Sequence, residues 1–310
     1  MRMIKEYSRL RLTPFLYIFV LLISFSTSAW GQESLPFVED APPKAKLART
    51  PENIKAGEAI YIQRCLPCHG VKGASDGAAA IFLDPRPRDF TRGIIKIKTT
   101  VADAPPTDED HFRVVTRGVP GTAMPTWRTL LTEEERWQVV YYEQETFFPE
   151  DQRDPSKRPE PITIPPEPPN DAESIKKGDE LFHGKGTCFV CHGMEGRGDG
   201  ALATSMMDIW GNPQRPRDFT KSWTFKGGRD PKDIFTRMTT GIFASGMPSF
   251  KETLTDEERW HVAHYVRSIQ KELKLGKSDI KPKKVDGEIS IDPNDPIWKD
   301  VDYTDIPMSG

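Results

Sequence analysis

The sequence predicts an all-α protein of two tandem helical domains joined by a Pro-rich linker, and three observations carry that prediction. The first is an internal repeat: Cys65-Leu66-Pro67-Cys68-His69-Gly70 returns as Cys188-Phe189-Val190-Cys191-His192-Gly193, and the offset of 123 holds again for Met124-Pro125 against Met247-Pro248 and for Leu131–Trp137 against Leu254–Trp260. The second is the pattern inside each copy, where apolar residues fall at helical spacing behind capping sequences and neither copy alternates as a strand would. The third is a run of eight prolines between residues 149 and 169, too poor in periodic apolar residues to form a core. These place a first domain at 50–148, a linker at 149–170, a second domain at 171–275 and a charged, proline-containing tail at 276–310.

Taken in order, the chain opens with a targeting segment over residues 1–31. Arg2, Lys5, Arg9 and Arg11 precede an apolar stretch, and small residues Ser26, Thr27, Ser28 and Ala29 follow it, the order of a cleavable secretory signal. Fourteen mostly apolar residues, Leu12–Phe25, fall short of the roughly 20 a membrane-spanning helix needs, so an uncleaved anchor is the weaker alternative. Next, Asn53–Arg64 reads as a short helix into the first cysteine motif, with Gly57 four residues before Tyr61; Ala172–His183, with Gly178 before Phe182, matches it in the second copy. Arg86-Pro87-Arg88-Asp89-Phe90-Thr91 recurs as Arg215–Thr220 at an offset of 129, so the second copy holds six extra residues that are lost again before Asp233. Each copy closes on a helix announced by Thr132-Glu133-Glu134-Glu135 or Thr255-Asp256-Glu257-Glu258, where the threonine hydroxyl and third-following glutamate can satisfy orphan amides.

Composition narrows the function. An apolar share of 36% beside 29% charged residues is low for a chain that is all core, in keeping with the linker and tail. The net charge is −3, and removal of residues 1–31 takes four basic residues and one acid with it, leaving −6. That excludes the basic footprint of a nucleic-acid binder and predicts docking to basic partners that weakens with salt.

All four cysteines lie in the two Cys-x-x-Cys-His motifs, the attachment signature of c-type haem. Cysteines three apart on a helical turn reach the two vinyl edges of one porphyrin, and the histidine that follows is placed for the iron. Two covalently bound haem c groups, on Cys65 and Cys68 and on Cys188 and Cys191, with His69 and His192 on the iron, are therefore expected. A redox dithiol, a zinc site and structural disulfides are the competing readings of the same spacing.

With these motifs in place, each copy resembles a class I cytochrome c domain and the whole chain resembles a dihaem c-type cytochrome. The resemblance covers residues 50–148 and 171–272. It implies that the first and last helices of each copy cross at the glycine–aromatic pair, so that Gly57 and Gly178 permit close packing. It also implies that Met124 and Met247, each 55 residues after its histidine in a Met-Pro loop, are the second axial ligands. Met206, Met207 and Met238 lack counterparts and read as core filler. One departure concerns the Gly-Pro that many bacterial members carry after the motif, whose proline carbonyl accepts the axial histidine's other N–H. Here Gly77 and Gly200 precede alanine, leaving the acceptor open.

Haem propionates need cationic partners, and Arg88 and Arg217, or Arg86 and Arg215, are candidates; a surface turn whose phenylalanine packs inward is the alternative reading of the hexapeptide. His111, His183, His261 and His264 have no matching histidine in the other copy and read as surface or core residues, with His183 the one nearest a haem motif in sequence. Residues 288–310 are similar to the opening segment of haem b-binding subunits that accompany ethylbenzene dehydrogenase and related molybdenum enzymes, which would make such a subunit a partner; a disordered acidic tail is the alternative. The combined reading is a periplasmic electron carrier between a respiratory dehydrogenase or membrane complex and a terminal oxidase or reductase. The rivals are a dihaem peroxidase-like enzyme and a haem subunit held to the membrane by its N-terminus. A thiosulfate-oxidising enzyme with cysteine-ligated haem is excluded, because no fifth cysteine exists.

Overall fold

The computed structural model describes residues 45–271; the targeting segment and the whole tail at 276–310, including residues 288–310, lie outside the described residues. The elements of the first copy are α1 (Pro51–Ile60), which runs on through a widened turn at Tyr61–Cys65 into α2 (Leu66–His69), then α3 (Asp108–Arg117) and α4 (Glu133–Phe147). The second copy has α5 (Ala172–His183), α6 (Phe189–His192), α7 (Pro231–Thr240) and α8 (Asp256–Ser268). No strand occurs among the described residues, only isolated bridges such as Ile242 with Met247.

Local chemistry sets the helix boundaries. α1 starts two residues before the sequence pattern places it, because Thr50 caps Asn53 N–H and Pro51 fits the first helical position, where no amide proton is needed. Both expected capping boxes form in full at Thr132/Glu135 and Thr255/Glu258. A third, at Thr107/Asp110, starts α3.

Each copy buries its own core. α1 crosses α4 and α5 crosses α8, while α3 packs on α4 and α7 on α8. Phe112 stacks on Trp137 at 4.0 Å, and the equivalent Phe235 stacks on Trp260 at 4.4 Å. Gly57 makes the first crossing possible: a Cβ there would lie 2.1 Å from Gln138 O, just as one at Gly178 would lie 2.0 Å from His261 O.

The proline-rich segment lies along both cores. The Arg158 guanidinium binds the buried Asp108 carboxylate and donates to Gln152 O at 3.0 Å, and Ile162 N–H donates to Thr99 O at 2.8 Å. Further on, Ile164 packs against the second core and Glu167 meets His264 at 3.0 Å. Proline's fixed φ suits a segment that must follow two surfaces without helical bonds of its own.

Candidate functional site

A cavity of about 1010 Å³ runs between the copies, and both cysteine motifs open onto it. Its walls include all four cysteines, His69, His192, Met124 and Met247. The four thiols are free of one another, which removes the disulfide reading. Burial pushes the Cys65 thiol well up and the Cys188 thiol up to about 12, the opposite of the acidic thiol a redox dithiol needs.

The repeated hexapeptide orders each histidine. His69 Nδ1 donates to Arg88 O at 2.9 Å and His192 Nδ1 to Arg217 O at 3.1 Å. These carbonyls supply the acceptor that the missing proline leaves open. Phe90 stacks on the His69 ring at 4.5 Å and Phe219 on His192 at 4.1 Å. Phe90 N–H donates to Gly73 O at 2.7 Å and Phe219 N–H to Gly196 O at 2.6 Å; both glycines stand at positive φ, 65° and 68°, which explains why glycine recurs there with the motif. Asp89 and Asp218 close the turn by accepting from Thr91 and Thr220 N–H, each at 2.9 Å. With Nδ1 committed as a donor, Nε2 is the nitrogen left with a lone pair for a metal. Burial also holds both rings neutral, lowering the pKa of His69 and taking that of His192 to about 4.

The methionine loops are built alike. Val119 N–H donates to Met124 O and Ile242 N–H to Met247 O, both at 3.0 Å. Thr126 Oγ1 donates to Thr116 O at 2.7 Å and Ser249 Oγ to Thr239 O at 2.6 Å, tying each loop to the end of α3 or α7. A thioether, a neutral imidazole and two thiols facing one apolar cavity form a donor set that fits haem c. They do not fit structural zinc, which takes four ligands, thiolates among them, in a closed tetrahedron.

The chain matches the family described as cytochrome c oxidase, cbb3-type, subunit III over residues 52–142 and the cytochrome c family over residues 175–270. It is 33% identical over 98 residues to cytochrome c55X of Paracoccus denitrificans, covering 31% of this chain and 79% of that protein. The chain belongs to the cytochrome c family. It is a dihaem c-type cytochrome, an electron-transfer haem protein of two tandem cytochrome c domains carrying two covalently bound haem c groups. Among solved structures, the Kuenenia stuttgartiensis reducing HAO-like protein complex contains a chain 38% identical to this cytochrome, with a TM-score of 0.66, covering 70% of this chain and 96% of that one. Among the described residues no helix is long and apolar enough to cross a membrane.

The remaining candidates of this cytochrome separate clearly. Arg88 and Arg217 are half-buried on the cavity wall, whereas Arg86 and Arg215 are exposed at its edge. His183 caps its own helix, bonded to Asp179 and to Met194 O at 2.9 Å, and does not line the cavity. His261 and His264 share Ser174 Oγ, at 2.7 and 2.6 Å, in a buried chain away from the cavity. Met238 is core, but Met207 is exposed and Met206 lines the cavity. His111 is a buried core residue that also lines the cavity, with its Nε2 2.9 Å from the buried Glu143 carboxylate. The second copy has Ile234 and Val266 at those places, so the repeat gives no sign of the pair.

Proposed function

We propose that this cytochrome is an exported, periplasmic carrier whose two haems are both six-coordinate and pass single electrons between a respiratory dehydrogenase or membrane complex and a terminal oxidase or reductase. The observation that carries it is the repetition of a methionine loop, held by the same backbone bonds, on the cavity that also takes the histidine. On this reading Cys65 and Cys68, and Cys188 and Cys191, hold the haems; His69 with Met124, and His192 with Met247, occupy both axial positions. Arg88 and Arg217 face the propionates. Haem iron supplies reversible one-electron chemistry, at a potential that methionine ligation raises. The chain's residues keep the imidazoles oriented through Arg88 O and Arg217 O, exclude water with Phe90 and Phe219, and leave no axial position for a substrate.

The acidic chain favours basic docking partners. That a relative of this chain sits in a reducing HAO-like protein complex supports work beside a redox protein partner. The similarity of residues 288–310 extends this to a haem b-binding subunit of a molybdenum enzyme. The test is a reductive titration of the periplasmically matured protein with peroxide turnover measured on the same sample. Reversible uptake of one electron per haem and no peroxide consumption support the carrier. Steady peroxide turnover refutes it.

A further inference from the structure

The wall between the two domains carries more positive charge than its carboxylates balance. Eight Arg and Lys side chains and four Asp and Glu line the cavity, a net +4 in a chain whose total is −3. The excess concentrates where the domains meet. Arg88 and Lys96 come from the first domain, Arg217 and Lys226 from the second. Burial, together with repulsion from Arg217 and Arg88, pushes the Lys226 pKa down to about 8. Lys96 is also pushed down to about 8, by burial and by Arg88.

The contacts cross the domain boundary. Arg217 Nη1 lies 3.5 Å from where a Cβ of Gly121 would stand, in the first domain's loop leading to Met124. Trp210, from the segment in which the second copy is longer, lays its ring 4.6 Å from the Arg88 guanidinium and donates Nε1–H to Asp89 at 3.0 Å. Lys96 reaches the opposite way, to Asp208 at 3.4 Å and Gln214 at 3.0 Å. Among the described residues, no carboxylate hydrogen-bonds to Arg88, Arg217 or Lys226: Asp208 and Asp89 act on Arg88, Asp218 on Arg217 and Asp84 on Lys226 only through space, and the Arg88 guanidinium lies on the indole face. A desolvated cation is costly unless an anion meets it. These four converge from two domains on one chamber.

We propose that this seam is a shared anion chamber in which Arg88, Lys96, Arg217 and Lys226 hold the propionate carboxylates of both haems, each domain supplying cations to the other domain's haem. The proposal rests on the dihaem reading above and adds the cross-domain sharing. Two haems bring paired propionates into a cavity whose net +4 calls for them. A charge change at either haem is then felt at the other through common cations.

The test uses the full-length, haem-loaded protein, with the potential of each haem followed separately by its haem-methyl resonances during a redox titration. Lys226→Gln should shift both haems to lower potential, because a lost cation disfavours the reduced, more negative state, and Lys226→Arg should restore both. Lys96→Gln should move the second-domain haem as well as the first. Lys176→Gln, on the solvent face of α5, makes the same change in net charge and should move neither. A Lys226→Gln shift confined to the second-domain haem overturns the proposal, as do equal shifts from Lys176→Gln. So does a phosphate-specific shift in the wild type at constant ionic strength, which would mean the chamber takes a solution anion. Haem stoichiometry on the same samples separates the two readings: fewer than two haems refutes the dihaem assignment, whereas two haems with independent responses refute the chamber alone.

Discussion

Replacing Gly57 with alanine sets two known effects against each other. In the middle of a helix, alanine is favoured over glycine by about 1 kcal/mol. Here the new methyl would stand 2.1 Å from Gln138 O, 2.5 Å from Gln138 C and 2.8 Å from Tyr142 Cβ. Two of these atoms are backbone of α4, so no rotamer change relieves the clash and the helices must part by about an ångström. Overpacking costs about 1–3 kcal/mol, and a rigid opposing backbone argues for the upper end, leaving a net loss of about 2 kcal/mol. If the first domain melts on its own, that lowers its midpoint by roughly 8–16 °C; if both domains melt together, by roughly 4–8 °C. Scanning calorimetry of the haem-loaded protein distinguishes these cases. Gly178→Ala should behave alike, with His261 O as the opposing atom. A Gly57→Ala protein as stable as the wild type would refute the crossing geometry.

Three other outcomes follow from particular contacts. Asp108→Asn leaves Arg158 and Lys46 without their buried counter-charge and should cost about 3 kcal/mol at pH 7 by chemical denaturation. Burial raises the Asp108 pKa but Arg158 and Lys46 outweigh it, so the folded value lies below the ordinary 3.8; the stabilisation is complete above that value and is lost as pH falls through the folded one. The gap between variant and wild type should therefore be constant from pH 7 to about 5 and close at lower pH, and a gap that widens in acid would contradict the assignment. Thr132→Ala removes the hydroxyl that caps Glu135 N–H and should cost about 1 kcal/mol in the same assay, with no change in either haem's spectrum. Met124→Ala and Met247→Ala should each lower the potential of one haem and open its iron to added ligands; unchanged spectra in both would refute methionine ligation.

The sequence made the attachment motifs, the methionine loops and the closing helices legible because each is a side-chain pattern written twice. α3 and α7 were harder to see. Their caps are Thr107 with Asp110, outside the usual glutamate pattern, and Asp230, whose side chain makes no capping bond. The acceptors for His69 and His192 were hidden for a different reason. A backbone carbonyl has no residue signature, so Arg88 O and Arg217 O emerge only once the loop is folded. The recurrence of Arg-Pro-Arg-Asp-Phe-Thr across a shift in spacing was the available clue. It meant that the hexapeptide follows the haem motif's needs and not its sequence distance. The seam was invisible to the repeat, since Trp210 and Asp208 lie in the longer loop of the second copy, and a self-comparison reports only what the copies share.

The most direct test of the account is carbon monoxide binding to the fully reduced, periplasmically matured protein, followed optically with the haem count taken on the same sample. The account predicts two covalent haems that both ignore the gas, because Met124 and Met247 close the positions opposite His69 and His192. Rapid binding at either haem would contradict it and move the peroxidase-like reading to the front.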